Sequence, residues 1–258
     1  MKKLRNITSN IAPLFAIILI LLIWGLLSKT GIVPRFMLPS PMDVLQVLIK
    51  DFSLLIHHGK TTLLEALLGL ALGVAFGFII AVIMDQFKII HKAIYPILVI
   101  SQTIPTVAIA PLLVLWMGYG ILPKVMLIVI TTFFPFAIGL LDGFASVDQD
   151  GENLMKAMGA NKLQRFIHIK LPSSLGYFFA GLRISVSYSV VGAVISEWLG
   201  GYNGLGVYMT RVRKSFSFDK MFAVIFFISA ISLLLILGVT IIQRAVMPWE
   251  RKKYGGNQ

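Results

Sequence analysis

The 258-residue sequence contains no cysteine, and that absence removes disulfides, thiolate metal ligands and cysteine nucleophiles at once. Charge is scarce too: only 13% of residues are charged, with 11 acidic residues against 23 lysines and arginines. A soluble domain averages about a quarter charged residues, so this chain is short of the groups that would keep its surface in water. Of the four histidines, His57 and His58 adjoin, but no third ligand type stands near them and no metal site is expected. The chain has no G-x-x-x-x-G-K-[ST] run, so it is not expected to cradle nucleotide phosphates. Its polar segments lack paired carboxylates, a histidine cluster, or a nucleophile with its base, which argues against an enzyme.

What is present is hydrocarbon. Hydrophobic residues make up 57% of the chain and the mean hydropathy is +0.88, the composition of an all-α, polytopic membrane protein embedded in a lipid bilayer. Windows of about 19 residues place candidate spans at 11–27, 61–84, 94–116, 121–141, 174–199 and 221–243. About six helices therefore fill a single transmembrane domain over 1–258. The first run is too long for a signal-peptide core and no small-residue cleavage site follows, so it reads as a span. Pro96, Pro105 and Pro111 predict kinks in the third span, where neighbouring helices can satisfy the freed carbonyls. The net charge of +12 is spread over loops and termini rather than gathered in a stripe, so no nucleic acid partner is expected. The side holding both termini, with Lys2, Lys3, Arg5, Arg251, Lys252 and Lys253, is richer in cations than the side holding Lys60, Lys124 and Arg211, which predicts cytoplasmic termini.

Two spans carry small residues four apart. Gly69, Gly73, Gly77 and Ala81 share one face of the second, and Gly181, Ser185, Ser189 and Ala193 share one face of the fifth. Such ridges let helix backbones approach closely, either within the chain or at a subunit interface beside a pore. Three charges fall in or near spans: Glu65, Arg183 and Glu197. A transport role is open to them, but the first and last lie near span ends and Arg183 is within snorkelling reach of the cytoplasmic interface, so the structural reading is preferred. Trp116, Trp198 and Trp249 sit at span ends, where indoles anchor at the headgroups.

The segment 142–173 between the fourth and fifth spans has folding signals of its own. Ser146 with Gln149, and Asn161 with Gln164, have the spacing of capping boxes that open two short helices, with Gly159 between them. Leu163, Phe166, Ile167 and Leu171 form an apolar stripe, while Lys162 and Arg165 fall to the other side. Pro172 disfavours a helical Leu171 and predicts a boundary, after which Ser173 or Ser174 can cap the fifth span. The product is an amphipathic elbow that could lie on lipid or fill a groove in a partner protein.

Gly159, nine residues, then Ile169-x-Leu171-Pro172 is similar to the cytoplasmic loop of permease subunits of bacterial ABC importers. Where that family often has Glu-Ala-Ala, this chain has Asn153, Leu154 and Met155, with Glu152 one place early. From about residue 40 to the end, "LPSSLGYFFAGLRIS", "SEWLGG" and "NGLG" resemble the branch importing nitrate, sulfonates and taurine, and "SEWLGGYNGLGVYM" resembles permeases for pyrimidine precursors of thiamine. The resemblance implies a multi-pass permease in the bacterial cytoplasmic (inner) membrane. It implies a homodimer that forms the path for a small organic solute, a thiamine pyrimidine precursor, a sulfonate or a related compound. ABC ATPase subunits would bind ATP and Mg and dock on the loop, and an extracytoplasmic substrate-binding protein would deliver the solute. The coupling loop would then be carried by Glu152, Leu154, Met155, Met158, Gly159, Ala160, Leu163, Phe166, Ile167, Ile169, Leu171 and Pro172. The competing class is a secondary transporter or channel of six helices acting without an ATPase. It would more often show intramembrane acid or histidine relays or a repeated half, and neither is found in the sequence.

Overall fold

The structure, a computed structural model, describes residues 2–31, 33–34 and 36–249, with side chains from Leu14 onward. Helix α1 (Lys2–Thr30) carries the first expected span in its apolar stretch Leu14–Thr30. A short helix α2 (Pro41–Lys50) follows, which the hydropathy windows do not reveal. Its start is written locally: the Ser40 side chain accepts from the Asp43 N–H, the Asp43 carboxylate accepts from the Ser40 N–H, and Pro41 occupies a first-turn position that needs no donor. Then come α3 (Phe52–Gln86), α4 (Lys88–Ser101), α5 (Thr106–Met117) and α6 (Ile121–Ala145). The elbow holds α7 (Gln149–Ala157) and α8 (Lys162–Arg165), and a π-helical turn (Phe166–Lys170) leads without a break into α9 (Leu171–Glu197). Helices α10 (Leu205–Lys214) and α11 (Phe218–Val246) follow, and no strand occurs among the described residues.

Helices α3, α6 and α11 and the continuous helix Lys162–Glu197 are long and apolar enough to cross a bilayer. The third expected span is not kinked but broken: α4 and α5 meet at 99°. Pro105 is the physical reason. It has no N–H to continue the ladder and holds an extended backbone (φ −61°, ψ 123°), while Gln102, Thr103 and Ile104 donate to carbonyls only three residues back. Pro96 and Pro111 remain inside their helices.

Helices α3, α6 and α9 pack against one another as the core. The α3 ridge is matched by a second row four apart on α6, because Gly69, Gly73 and Gly77 face Ile128, Thr132 and Phe136. Ala81 continues the line into a buried cluster with Phe136, Leu140 and Phe144. On α9, Gly181 lies 3.6 Å from the Cβ position of Gly139, Ser185 donates to the Thr132 carbonyl at 2.9 Å, and Ala193 packs with Ala66 and Ile128. Ser189 is buried and returns its hydroxyl to the Val186 carbonyl. Both ridges thus pack within the chain, the first of the two readings left open by the spacing: small residues bring three backbones together here. By contrast, the outward side chains of α1 and much of α11 are apolar and exposed, as lipid contact requires.

Two cations gain partners within the protein. Lys124, counted with the side away from the termini, is buried within the first turn of α6. Arg183 donates to Gln243, near the end of α11. The side chains of Lys2, Lys3, Arg5, Arg35, Arg251, Lys252 and Lys253 lie outside the described residues.

The ridge gives a direct test. A Cβ at Gly73 would collide with the Thr132 hydroxyl, whereas one at Gly238 of α11 meets nothing within 4 Å. Gly73→Val is expected to cost about 1–3 kcal/mol through overpacking and to lower the unfolding temperature in detergent. Gly238→Ala is expected to be neutral or stabilising by up to about 1 kcal/mol. Equal unfolding temperatures for the two variants would contradict the packing described.

Candidate functional site: an elbow and a polar latch at opposite ends of the bundle

The elbow is built by short-range signals. Asp148, rather than Ser146, caps α7, its carboxylate accepting from the Asp150 N–H at 3.1 Å. Ser146 is taken up by the end of α6, where its N–H and hydroxyl reach the carbonyls of Asp142 and Gly143, so the expected Ser146/Gln149 box does not form. Helix α7 ends with the Ala160 N–H on the Met155 carbonyl (2.9 Å) and the Gly159 N–H on that of Lys156 (3.0 Å), a paired closure that requires the left-handed φ of +82° found at Gly159. Asn161 and Gln164 then form the expected reciprocal box, each bond 2.8 Å long.

Three ties fix the elbow to itself and to the core. Arg165 meets Glu152 at 2.8 Å, joining its two arms, and Lys156 lies 3.8 Å from the same carboxylate. Lys170 pairs with Asp85, at the end of α3, at 2.7 Å. The Phe166 ring sits edge-on to Phe144 of α6 with centroids 5.4 Å apart. This splits the expected stripe: Phe166 turns inward and Met155, Ala160, Ile169 and Leu171 are partly covered. Leu154 (63% exposed), Met158 (75%), Leu163 (65%) and Ile167 stand out from the surface instead. Pro172 does not end a helix. Leu171 is helical (φ −63°, ψ −47°) and donates to the Phe166 carbonyl five residues back, and Pro172 enters the first turn of α9 beyond this widened turn. Ser174 is buried and donates to the Leu171 carbonyl, so it caps nothing.

Twenty residues of helix, or about 30 Å at 1.5 Å per residue, separate Asp85 from Glu65 along α3. That distance is the hydrocarbon thickness of a bilayer, so the second polar cluster occupies the opposite end of the bundle. There Lys124 donates to Glu65 at 2.7 Å, both side chains buried. Glu197, at the end of α9, accepts from the Thr62 hydroxyl at 2.7 Å and from the Gly206 N–H at 2.6 Å. Thr62 in turn accepts from the Leu205 N–H at 2.8 Å, and His58 Nδ1 accepts from the Gly204 N–H at 3.2 Å, with its ring stacked on Tyr208. The first three donors of α10 are therefore capped by side chains of α3 and α9 rather than by its own loop. Gly204 has a φ of +132°, and a Cβ there would strike the Glu197 carboxylate. Glu197, with Thr62 and His58, latches α10 onto the bundle, and Glu65 ties α3 to α6 through Lys124. Beside the latch opens a cavity of about 550 Å³ lined by Tyr119, Lys124, Tyr202 and Asn203.

Sequence reasoning missed Lys124, Thr62, His58 and Asp85 as partners in these ties. Asp85 and Lys124 each stand at the edge of a hydropathy window, which is the one signal that could have singled them out.

The latch predicts a non-additive pair. Lys124→Met leaves a buried carboxylate without its cation and is expected to cost about 3–5 kcal/mol, while Glu65→Leu with Lys124→Met removes both charges and is expected to recover most of that loss. Thermal unfolding of the two purified variants in detergent measures the difference. A double variant no more stable than the single one would mean that the two charges do not depend on each other.

Residues 73–252 match the family described as binding-protein-dependent transport system inner membrane component. The chain is 36% identical over 242 residues to the formylaminopyrimidine transport permease protein ThiX of Halalkalibacterium halodurans, covering 93% of this chain and 96% of that one. It is 30% identical over 236 residues to the riboflavin transport system permease protein RibX of Chloroflexus aurantiacus, covering 91% and 88%. Further relatives are named as permeases for aliphatic sulfonates, taurine and nitrate. A crystal structure of an amino acid ABC transporter with histidines shares the fold, with a TM-score of 0.61 at 17% identity over 80% of this chain and 96% of that one. Taken with the glycine-hinged elbow, these matches establish that the chain belongs to the binding-protein-dependent inner membrane transport components, the permease subunits of ABC importers, and is a transport subunit rather than an enzyme.

Proposed function

We propose that two copies of this chain form a solute path whose elbows dock on cytoplasmic ATPase subunits, which bind the ATP and Mg. The observation that carries this reading is the contrast within the elbow. Four apolar side chains, Leu154, Met158, Leu163 and Ile167, are pushed into solvent by a scaffold held by two ion pairs and a ring contact. A loop resting on lipid needs no such rigidity, whereas a helix-in-groove contact gains affinity from being held in shape beforehand. In this reading the elbow and both termini are cytoplasmic. The cavity beside the latch then faces the extracytoplasmic substrate-binding protein.

For the solute we infer a heteroaromatic compound of the pyrimidine type. Two relatives at 30% identity or above carry names that specify formylaminopyrimidine and riboflavin, both flat nitrogen heterocycles. The sulfonate and taurine permeases fall below that identity.

Docking and hinge are tested together in proteoliposomes that contain the permease, its ATPase and its binding protein. Leu163→Asp changes only an exposed side chain, so it should fold normally and lose ATPase co-purification. A Cβ at Gly159 meets nothing within 4 Å, so the main cost of Gly159→Val is the strain of a left-handed backbone, about 1–2 kcal/mol. That variant should reach the membrane at normal abundance yet show no uptake and no ATP hydrolysis stimulated by loaded binding protein. Wild-type ATPase binding and transport in both variants would remove the elbow as the coupler.

A further inference from the structure

A second cavity, of about 270 Å³, opens beside the break in the third span. Ser101, Gln102 and Thr106 line it from the two sides of the break, with Thr131 of α6 and Tyr188 and Gly192 of α9 opposite. Thr131 is ten residues from one end of α6 and fourteen from the other, about 15 Å and 21 Å, so the cavity lies near mid-depth in the membrane. Hydroxyl, amide and phenol groups at that depth are costly against lipid. Irregular backbone is tolerated there only where it is buried in protein or lines a cavity.

The wall has a definite chemistry. None of its lining side chains carries a charge. Ser101 and Thr131 donate to the carbonyls of Leu98 and Ile128, at 2.7 and 2.9 Å, which leaves their oxygen lone pairs directed elsewhere as acceptors. The N–H groups of Thr106 and Val107, in the first turn of α5, have no partner inside the helix, and they mark the positive end of its dipole. Gln102 and the Tyr188 phenol can both donate and accept. Ile109, Ile130 and Ile195 supply apolar surface between these groups. A sulfonate or nitrate held here would face no cation, only the partial charge of one helix end, and burying an unpaired anion is strongly unfavourable.

We propose that this cavity is a solute-binding station on the translocation path, shaped for a small, uncharged, planar heterocycle whose edge carries donors and acceptors. The polar groups read the ring's edge and the isoleucines cover its faces. The volume lies just below the range of drug-sized sites, which fits a single-ring solute better than a fused multi-ring one. The assignment rests on the permease function proposed above but stands on residues that the elbow does not touch.

The test is uptake of labelled formylaminopyrimidine, with riboflavin and taurine as competitors, by the complete transporter in proteoliposomes. Thr106→Val and Tyr188→Phe each remove one hydroxyl while keeping shape. Each is expected to raise KM for the pyrimidine about tenfold, the loss of one hydrogen bond. Thr106→Ser, which keeps the hydroxyl, is expected to retain the wild-type KM. Unfolding temperature in detergent and co-purification of the ATPase should match the wild type in all three, a result that a misfolded permease would not give. Wild-type pyrimidine uptake with unchanged KM in Thr106→Val and Tyr188→Phe would overturn the cavity and leave the proposed solute standing. A wild-type transporter that carries taurine and no heterocycle would overturn the solute class itself.

Discussion

The close contact of α3 with α6 is the constraint on which the other parts depend. Three glycines of α3 lie so close to Ile128, Thr132 and Phe136 that a Cβ on any of them would collide. In lipid, apolar surface alone gives no drive for helices to associate, so dispersion contacts between closely set backbones must supply it. The same approach brings α9 in from the other side, where Ser185 can reach the Thr132 carbonyl. Because these three helices are fixed together, the groups at both of their ends are fixed as well.

At one end this rigidity makes buried charge tolerable. Glu65, Lys124 and Glu197 are nearly sealed from solvent, and an unpaired charge there would be severely unfavourable. Each comes from a different core helix, α3, α6 or α9, so the pairing and capping distances exist only when all three are correctly docked. The cluster in turn closes α10 onto the bundle through its first backbone donors. The polar end is thus a consequence of the packed core and also a check on its register.

How far the sequence discloses this differs from part to part, for physical reasons. Elements whose signals are local are legible: each of the six apolar windows marks helix, the third split between α4 and α5, and the Asn161/Gln164 box and the left-handed Gly159 stand where spacing places them. Ser146 misleads because a longer α6 takes its hydrogen bonds first. Helix α10 is illegible because its caps are His58, Thr62 and Glu197, the first two more than 140 residues away along the chain. The direction of Phe166 is hidden for a related reason. Its helical position fits an exposed stripe, but the π-helical turn rotates the chain and Phe144 offers it a buried ring to meet. Leu154, Met158, Leu163 and Ile167 are legible as apolar, yet their exposure is a tertiary fact.

The elbow's ties run to two of the core helices, Lys170 to α3 and Phe166 to α6, and the π-helical turn fuses the elbow directly to the third, α9. If the elbow docks as proposed, a displacement there would be passed to all three helices at once, because their mutual packing prevents them from yielding one at a time. The same helices carry Thr131, Tyr188 and Gly192 at mid-depth and the latch at the far end. Helices α4 and α5 also pack on these helices, α4 against α3 and α5 against α6 and α9, but the ladder between the two is interrupted at Gln102–Pro105. In the function proposed above, motion delivered to the elbow would run along α3, α6 and α9 as one unit, and this break is where backbone dihedrals could change with the least loss of hydrogen bonds.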